Sequence, residues 1–368
     1  MKVMRDPELY NTFLSLVRLG IGLQVDSIKE DIDWKAVQVL AMQHGVSAFI
    51  LDGIEQLPEN LRPSKAILLP WIGSTLNQYE QRYIAYQKSI ASLAAFYNAH
   101  GFKMMVLKGL ACSLDWPKPN HRPCGDIDIW LFGQQKEADE MLQKLSRIGE
   151  LENKIKVDRS HHHHTVFAWE GFVVENHYDF INTHHHQSHA EMERIFKELG
   201  QDDSHSIDVL GEKVYLPSPN LHALFLLKHT MLHFASESVS LRQLLDWGFF
   251  VKANSAEIDW DWLEDKLIHF GMKEMYDILN AICVGELGFD VNDFHDVQFN
   301  PDMKERVLNE ILSPEYPIEA PRCLFPRMLF KYRRWKGNEW KHKLCYKESM
   351  WSAFWSGVWN HLLKPSSI

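Results

Sequence analysis

The stretch Gly125-Asp126-Ile127-Asp128-Ile129-Trp130-Leu131 alternates acidic and apolar residues from Asp126 to Ile129. A period of two marks a β-strand, whose successive side chains point to opposite faces. Asp126 and Asp128 therefore project together, while Ile127 and Ile129 enter a core. Two neighbouring carboxylates at the start of a strand repel each other unless a cation sits between them. Their natural use is to hold Mg2+, a hard ion that takes carboxylate and phosphate oxygens together. An isolated Asp-x-Asp pair is more often a solvated strand edge, so the surrounding sequence decides between the two.

Upstream, the apolar run Met104 to Leu107 leads into Lys108-Gly109-Leu110-Ala111. A strand closed by a glycine turn and followed by a short helix can present backbone N–H groups to a phosphate. Downstream, Val173-Val174-Glu175-Asn176-His177-Tyr178-Asp179 reads as a strand with Glu175, His177 and Asp179 on one face. If the two strands pair, Glu175 becomes a third carboxylate of the same cluster.

With these residues in place the chain resembles the nucleotidyltransferase superfamily related to DNA polymerase beta. That superfamily's pattern is a strand, a Gly-containing turn and helix, an aspartate pair with one residue between, and a carboxylate on a later strand. Gly109, then Asp126 and Asp128, then Glu175 stand at those places. Leu107-Lys108-Gly109, Arg122-Pro123-Cys124-Gly125-Asp126-Ile127-Asp128, Glu175-Asn176-His177 and a later helix with His229, His233, Arg242 and Asp246 are similar to a bacterial branch of uncharacterised nucleotidyltransferases. One departure is Gly109-Leu110-Ala111, where many members carry Gly-Ser or Gly-Gly; a hydroxyl for the nucleotide phosphates is absent there.

The resemblance implies an enzyme that moves a nucleoside monophosphate from a nucleoside triphosphate to a hydroxyl or similar acceptor, with release of pyrophosphate. Asp126 and Asp128 would hold two Mg2+ ions about 3.5 to 4 Å apart, with Mn2+ as an alternative ion. Asp128 is the better candidate for bridging them, and Glu175 would complete the acceptor-side site or take the acceptor's proton. Lys108, Gly109, Arg122 and His177 would contact the nucleotide, Arg being suited to bidentate phosphate binding. The alternative implied by the weak turn is an inactive relative that binds nucleotide or a partner protein. A histidine-dependent metal hydrolase is a third reading.

Around this core the sequence is helical. Leu14, Leu16, Val17, Leu19 and Ile21, and later Leu221, Leu224, Phe225, Leu232 and Phe234, recur at helical spacing. The predicted class is α+β: a small mixed-sheet core over 96–216, an N-terminal helical region over 1–95 and a C-terminal helical region over 217–368. Within the core, strands are expected at 151–157, 165–169 and 172–180, and a helix from Gln134 to Ile148.

The 368 residues are 45% hydrophobic and 24% charged, with 39 Lys+Arg against 49 Asp+Glu. That composition fits a folded soluble chain, and the net charge of -10 disfavours a protein that coats nucleic acid through global charge. Five scattered cysteines without a Cys-x-x-Cys pair, an N-terminus without an apolar leader and the lack of a spanning apolar run point to the cytoplasm.

Two compositional oddities remain. His161 to His164 and His184 to His186 with His189 look like metal ligands, yet adjacent residues of a strand do not easily converge on one ion; polar loops beside the cleft are the commoner use. His222, His229 and His233 share one helical face, as an interface or as a pocket wall, with Arg242 and Asp246 expected to pair at i and i+4. From Arg322 to Lys347 nine Lys/Arg face one acid, Glu339, and Trp351, Trp355 and Trp359 follow at helical spacing. This basic tail suits docking on an acidic surface, peripheral membrane contact, or binding of RNA or another polyanion, with nucleic acid the less favoured partner.

Overall fold

The computed structural model describes residues 6–353 and 355, apart from 26, 27, 29, 150, 152, 153, 184, 185, 296, 317–320 and 322. The expected positions His184, His185, Arg322 and Trp359 lie outside these residues. The chain divides into two compact units: a sheet unit (Arg82–Leu114, Cys124–Phe225 and from Glu348 on) and a helical unit (up to Gln81, Asp115–Pro123 and Leu226–Lys347).

The sheet unit holds six strands: β1 (Met105–Val106), β2 (Ile127–Trp130), β3 (His164–Trp169), β4 (Phe172–His177), β5 (Ser206–Val209) and β6 (Glu212–Tyr215). Their order is β3-β4-β2-β1-β6-β5. β2 runs antiparallel to β1 and parallel to β4, and β1 runs parallel to β6, which makes the sheet mixed. The predicted α+β class with a small mixed sheet is what forms.

Alternation decides which face is buried. Ile127, Ile129, Val174 and Phe167 join Tyr86, Ile90, Leu93, Ala94 and Tyr97 of the Gln81–Ala99 helix and Leu142 of the Gln135–Ile148 helix in one apolar core. Asn176 points the same way, and its Nδ2 donates to Asp139 Oδ1 at 2.9 Å. The residues between these, Asp128, Glu175 and His177, are left for the opposite face.

Two local expectations change. Among the described residues of 151–157 no strand forms. Leu151, Ile155 and Val157 still pack on the core, but the Ile155 N–H donates to Ser146 Oγ at 2.8 Å instead of joining a ladder. A hairpin appears that the sequence did not announce, β5 and β6, turning at Leu210 and Gly211, both with positive φ (54° and 94°). The Gln187–Leu199 helix is likewise new.

The helical unit is built from close helix contacts. The Pro7–Ile21 and Ser47–Glu55 helices approach until a Cβ on Gly53 would lie 2.1 Å from the Leu16 carbonyl oxygen, so only glycine fits. The Lys65–Thr75 helix is followed by a wide turn at Leu76–Glu80; in the sheet unit Gly101, with φ 80°, follows the end of the Gln81–Ala99 helix.

Candidate active site

Register brings the acidic residues together. In the parallel β2–β4 pair Asp128 stands opposite Glu175, and Trp130 opposite His177. Paired residues of neighbouring strands share a face, so Asp128, Glu175 and His177 form one patch. One ligand atom from each lies within 4.8 Å of the others. Asp126, one step before β2, is exposed on the same side and is not in that close group.

Lys108 enters from β1. The Leu107 N–H donates to the Asp128 carbonyl at 3.0 Å, which continues the β1–β2 ladder and sets the next side chain beside the patch. Lys108 Nζ lies 2.7 Å from Asp128 Oδ1. Burial opposes the lysine's charge, but attraction by Asp128, Asp126 and Glu175 outweighs it and raises its pKa. For Asp128 burial likewise favours the neutral acid, yet Lys108 and His177 hold it far below the usual carboxylate range. Glu175 goes the other way: burial first, then repulsion by Asp128 and Asp126, raises its pKa. The cation that the aspartate pair requires is thus supplied by the chain itself.

His177 is oriented by its own backbone. Its Nδ1 lies 3.2 Å from the Asp179 carbonyl oxygen, which can only accept, so Nδ1 donates there, and Nε2 lies 3.2 Å from Asp128 Oδ1 and 3.8 Å from Glu175 Oε2. Asp128, Glu175 and His177 offer two hard oxygens and one nitrogen, a set that suits a divalent cation once the lysine ammonium yields its place on Oδ1.

Gly109 has φ 55° and ψ -100°, and a Cβ there would lie 2.0 Å from the Tyr86 hydroxyl. The Leu110–Ser113 helix that follows is one turn long, and the Ala111 N–H already donates to the Lys108 carbonyl at 3.0 Å. The turn is consequently better described as a fixed pivot for Lys108 than as a phosphate cradle.

Other expected residues have these contacts within their own units. Arg122 belongs to the helical unit, where Nε and Nη2 bind Asp246 Oδ1 and Oδ2 at 2.7 and 2.9 Å, both side chains being buried. Trp116 Nε1 donates to the same Oδ1 at 2.9 Å. The contacts shown for Asp246 thus come from Arg122 and Trp116, where the spacing suggested Arg242. His222 is buried in the sheet unit with Nε2 3.7 Å from Cys112 Sγ, and His229 and His233 stack edge to face in the helical unit. The basic Leu324–Gly337 helix exposes the apolar side chains Phe325 and Met328 and the aromatic Tyr332.

The sequence reading missed one feature. Tyr86, from a helix that carried no sign of function, donates to the Asp126 carbonyl at 2.9 Å. The first histidine run lies beside the site, where the sequence reading puts it: the His163 and His164 rings are 5.6 and 5.3 Å from the His177 ring. Burial and the neighbouring imidazoles lower their pKa values to about 3 and about 4.

A mixed sheet that sets carboxylates face to face on parallel neighbours, with a lysine–glycine turn beside them, is the framework of a nucleotidyltransferase-like protein. Residues 30–284 match the family described as uncharacterised nucleotidyltransferase, and the chain belongs to that family. A solved structure of an antigenic nucleotidyltransferase-like protein from Paracoccidioides brasiliensis is similar at 15% identity and a TM-score of 0.35, over 57% of this chain and 96% of that one. Comparison with curated proteins gave no match.

Proposed function

We propose that the protein is a metal-dependent nucleotidyltransferase that moves a nucleoside monophosphate from a nucleoside triphosphate to a hydroxyl or similar acceptor, with release of pyrophosphate. The observation that carries this reading is the register match of Asp128 with Glu175, with Lys108 at 2.7 Å from Asp128. A divalent cation, Mg2+ first and Mn2+ as the alternative, would be held by Asp128 and Glu175 with Asp126 and His177 beside them, and would stabilise the attacking and leaving oxygens. On nucleotide entry Lys108 would exchange its carboxylate partner for a phosphate oxygen, keeping an ion pair throughout. Tyr86 and Gly109 would hold the turn so that this exchange needs only side-chain motion.

A second reading, binding of nucleotide without transfer, is favoured by one observation: Lys108 stands on the carboxylate oxygen that a cation would use. Pyrophosphate release from each of the four ribonucleoside triphosphates, with Mg2+ or Mn2+ and a mixture of candidate acceptors, separates the two. A thermal-shift screen reports binding alone, where a ligand at 100 times its Kd adds about 2.7 kcal/mol. Stabilisation by a triphosphate without pyrophosphate release would select the second reading; neither response would sink both. A cytoplasmic site of action belongs to the same proposal, supported by five cysteines without a disulfide. Among the described residues no helix is long and apolar enough to cross a membrane.

A further inference from the structure

We infer that His163, His164 and His177 form a site for a divalent transition metal of the zinc type, beside the carboxylate patch of the sheet unit. One nitrogen from each imidazole lies within 4.8 Å of the others. The His163 and His164 rings are 4.4 Å apart and nearly perpendicular, at 89°. Glu175 Oε2 borders the group, 3.9 Å from His164 Nδ1 and 3.8 Å from His177 Nε2.

Adjacent strand residues point to opposite faces, which is why such a run argues against a shared ion. Here the chain bends over residues 161–163 and β3 begins only at His164. The bend is pinned, because the N–H groups of Tyr178 and Asp179 both donate to the His163 carbonyl, at 3.1 and 3.0 Å. Both imidazoles consequently turn toward His177.

Two features mark the cluster as a ligand set and not a packing accident. The Nδ1 atoms of His163 and His164 are buried without a hydrogen-bond partner among the described residues, and His164 is only 6% exposed. A buried polar atom left in this state is destabilising, a cost that coordination would remove. His177 also has what metal-bound histidines almost always have, a carbonyl acceptor on its other nitrogen.

Nitrogen donors select the metal class. Imidazole suits zinc and its neighbours, whereas Mg2+ takes oxygen and keeps its waters. Tetrahedral bonds of 2.0–2.1 Å place neighbouring nitrogens about 3.3 Å apart, a closure within reach of ring rotation. The inference does not depend on nucleotidyl transfer, and its test reads zinc directly.

The full chain, stripped with a chelator and held in excess Mg2+, is titrated with Zn2+ against a chromophoric chelator. The expected result is one zinc per chain that excess Mg2+ does not displace. The His163→Ala/His164→Ala variant should lose roughly 100-fold or more in zinc affinity, while His229→Ala/His233→Ala binds as the unaltered chain does. X-ray absorption at the zinc edge of the unaltered protein should show three imidazoles, a readout that survives if the double variant fails to fold. Displacement by Mg2+, unchanged affinity in the first variant, loss in the second, or fewer than two imidazoles on the metal would each overturn the site.

Discussion

The hydroxyl of Tyr86 occupies the space that a side chain on residue 109 would need, 2.0 Å from the position of its Cβ. The same hydroxyl donates to the Asp126 carbonyl at 2.9 Å and so ties the turn after β1 to the start of β2. Gly109→Ala therefore meets a clash and a backbone conformation that L residues rarely adopt, and should destabilise the protein by about 1–3 kcal/mol. Adding Tyr86→Phe removes the clashing oxygen but not the strain. The double variant should recover part of the loss in urea unfolding; purely additive losses would refute the contact.

Asp126 and Asp128 should behave differently although they share one face. Asp128→Asn leaves the Lys108 ammonium without its nearest counter-ion, so a loss on the order of 3 kcal/mol of stability should accompany loss of transfer. Repulsion between the two aspartates would have predicted the opposite. Asp126 is exposed, and Asp126→Asn should shift stability by about 0.5 kcal/mol or less. It is the cleaner test of chemistry: transfer that continues undiminished in a folded Asp126→Asn variant would remove this residue from the site.

Arg122 should report on folding. Its guanidinium grips both oxygens of Asp246 in a buried pair. Arg122→Ala strands that carboxylate and should cost on the order of 3–5 kcal/mol. Arg122→Lys restores the charge without the two-pronged geometry and should recover only part of it. Full thermal stability of the alanine variant would show that the pair contributes little.

His44 should make the protein acid-sensitive. Its Nδ1 accepts the Leu241 N–H at 3.2 Å, and burial lowers its pKa from 6.5 to about 4, against the opposing pull of the Leu312 carbonyl. Between those pH values the unfolded chain holds a proton that the folded chain does not. Stability contributed by neutral His44 is therefore complete above pH 6.5 and lost as pH falls toward 4, a change on the order of 3 kcal/mol. Denaturant titrations across this window should show the slope, and His44→Gln should flatten it.

The site was legible where side-chain alternation carried it. Asp126 and Asp128 at β2, and Glu175 and His177 on β4, each share a face by period two, and the β2–β4 pairing joins the two sets. What alternation cannot give is a partner. Nothing near Arg122 in the chain points to Asp246, 124 residues away, and nothing in the Gln81–Ala99 helix points Tyr86 at Asp126. The β5–β6 hairpin escaped because Leu210 occupies a left-handed turn position usually filled by Asn, Asp or Gly. At the histidines the rule for straight strands does not reach His163, which lies in the bend ahead of β3.

The pairing of Asp128 with Glu175 also limits which changes of chain length the protein can absorb. One residue inserted in β4 ahead of Glu175 would bring Val174 opposite Asp128 and turn the glutamate toward the apolar core. Such a chain would lose the carboxylate patch and stability together, because a carboxylate enters the core as Val174 leaves it. A residue added at the Glu170–Gly171 turn leaves the β2–β4 phase untouched. Length variants of this protein should therefore divide sharply, with tolerated changes gathered in the turns and loss of both fold stability and site following any odd-numbered change inside β2 or β4.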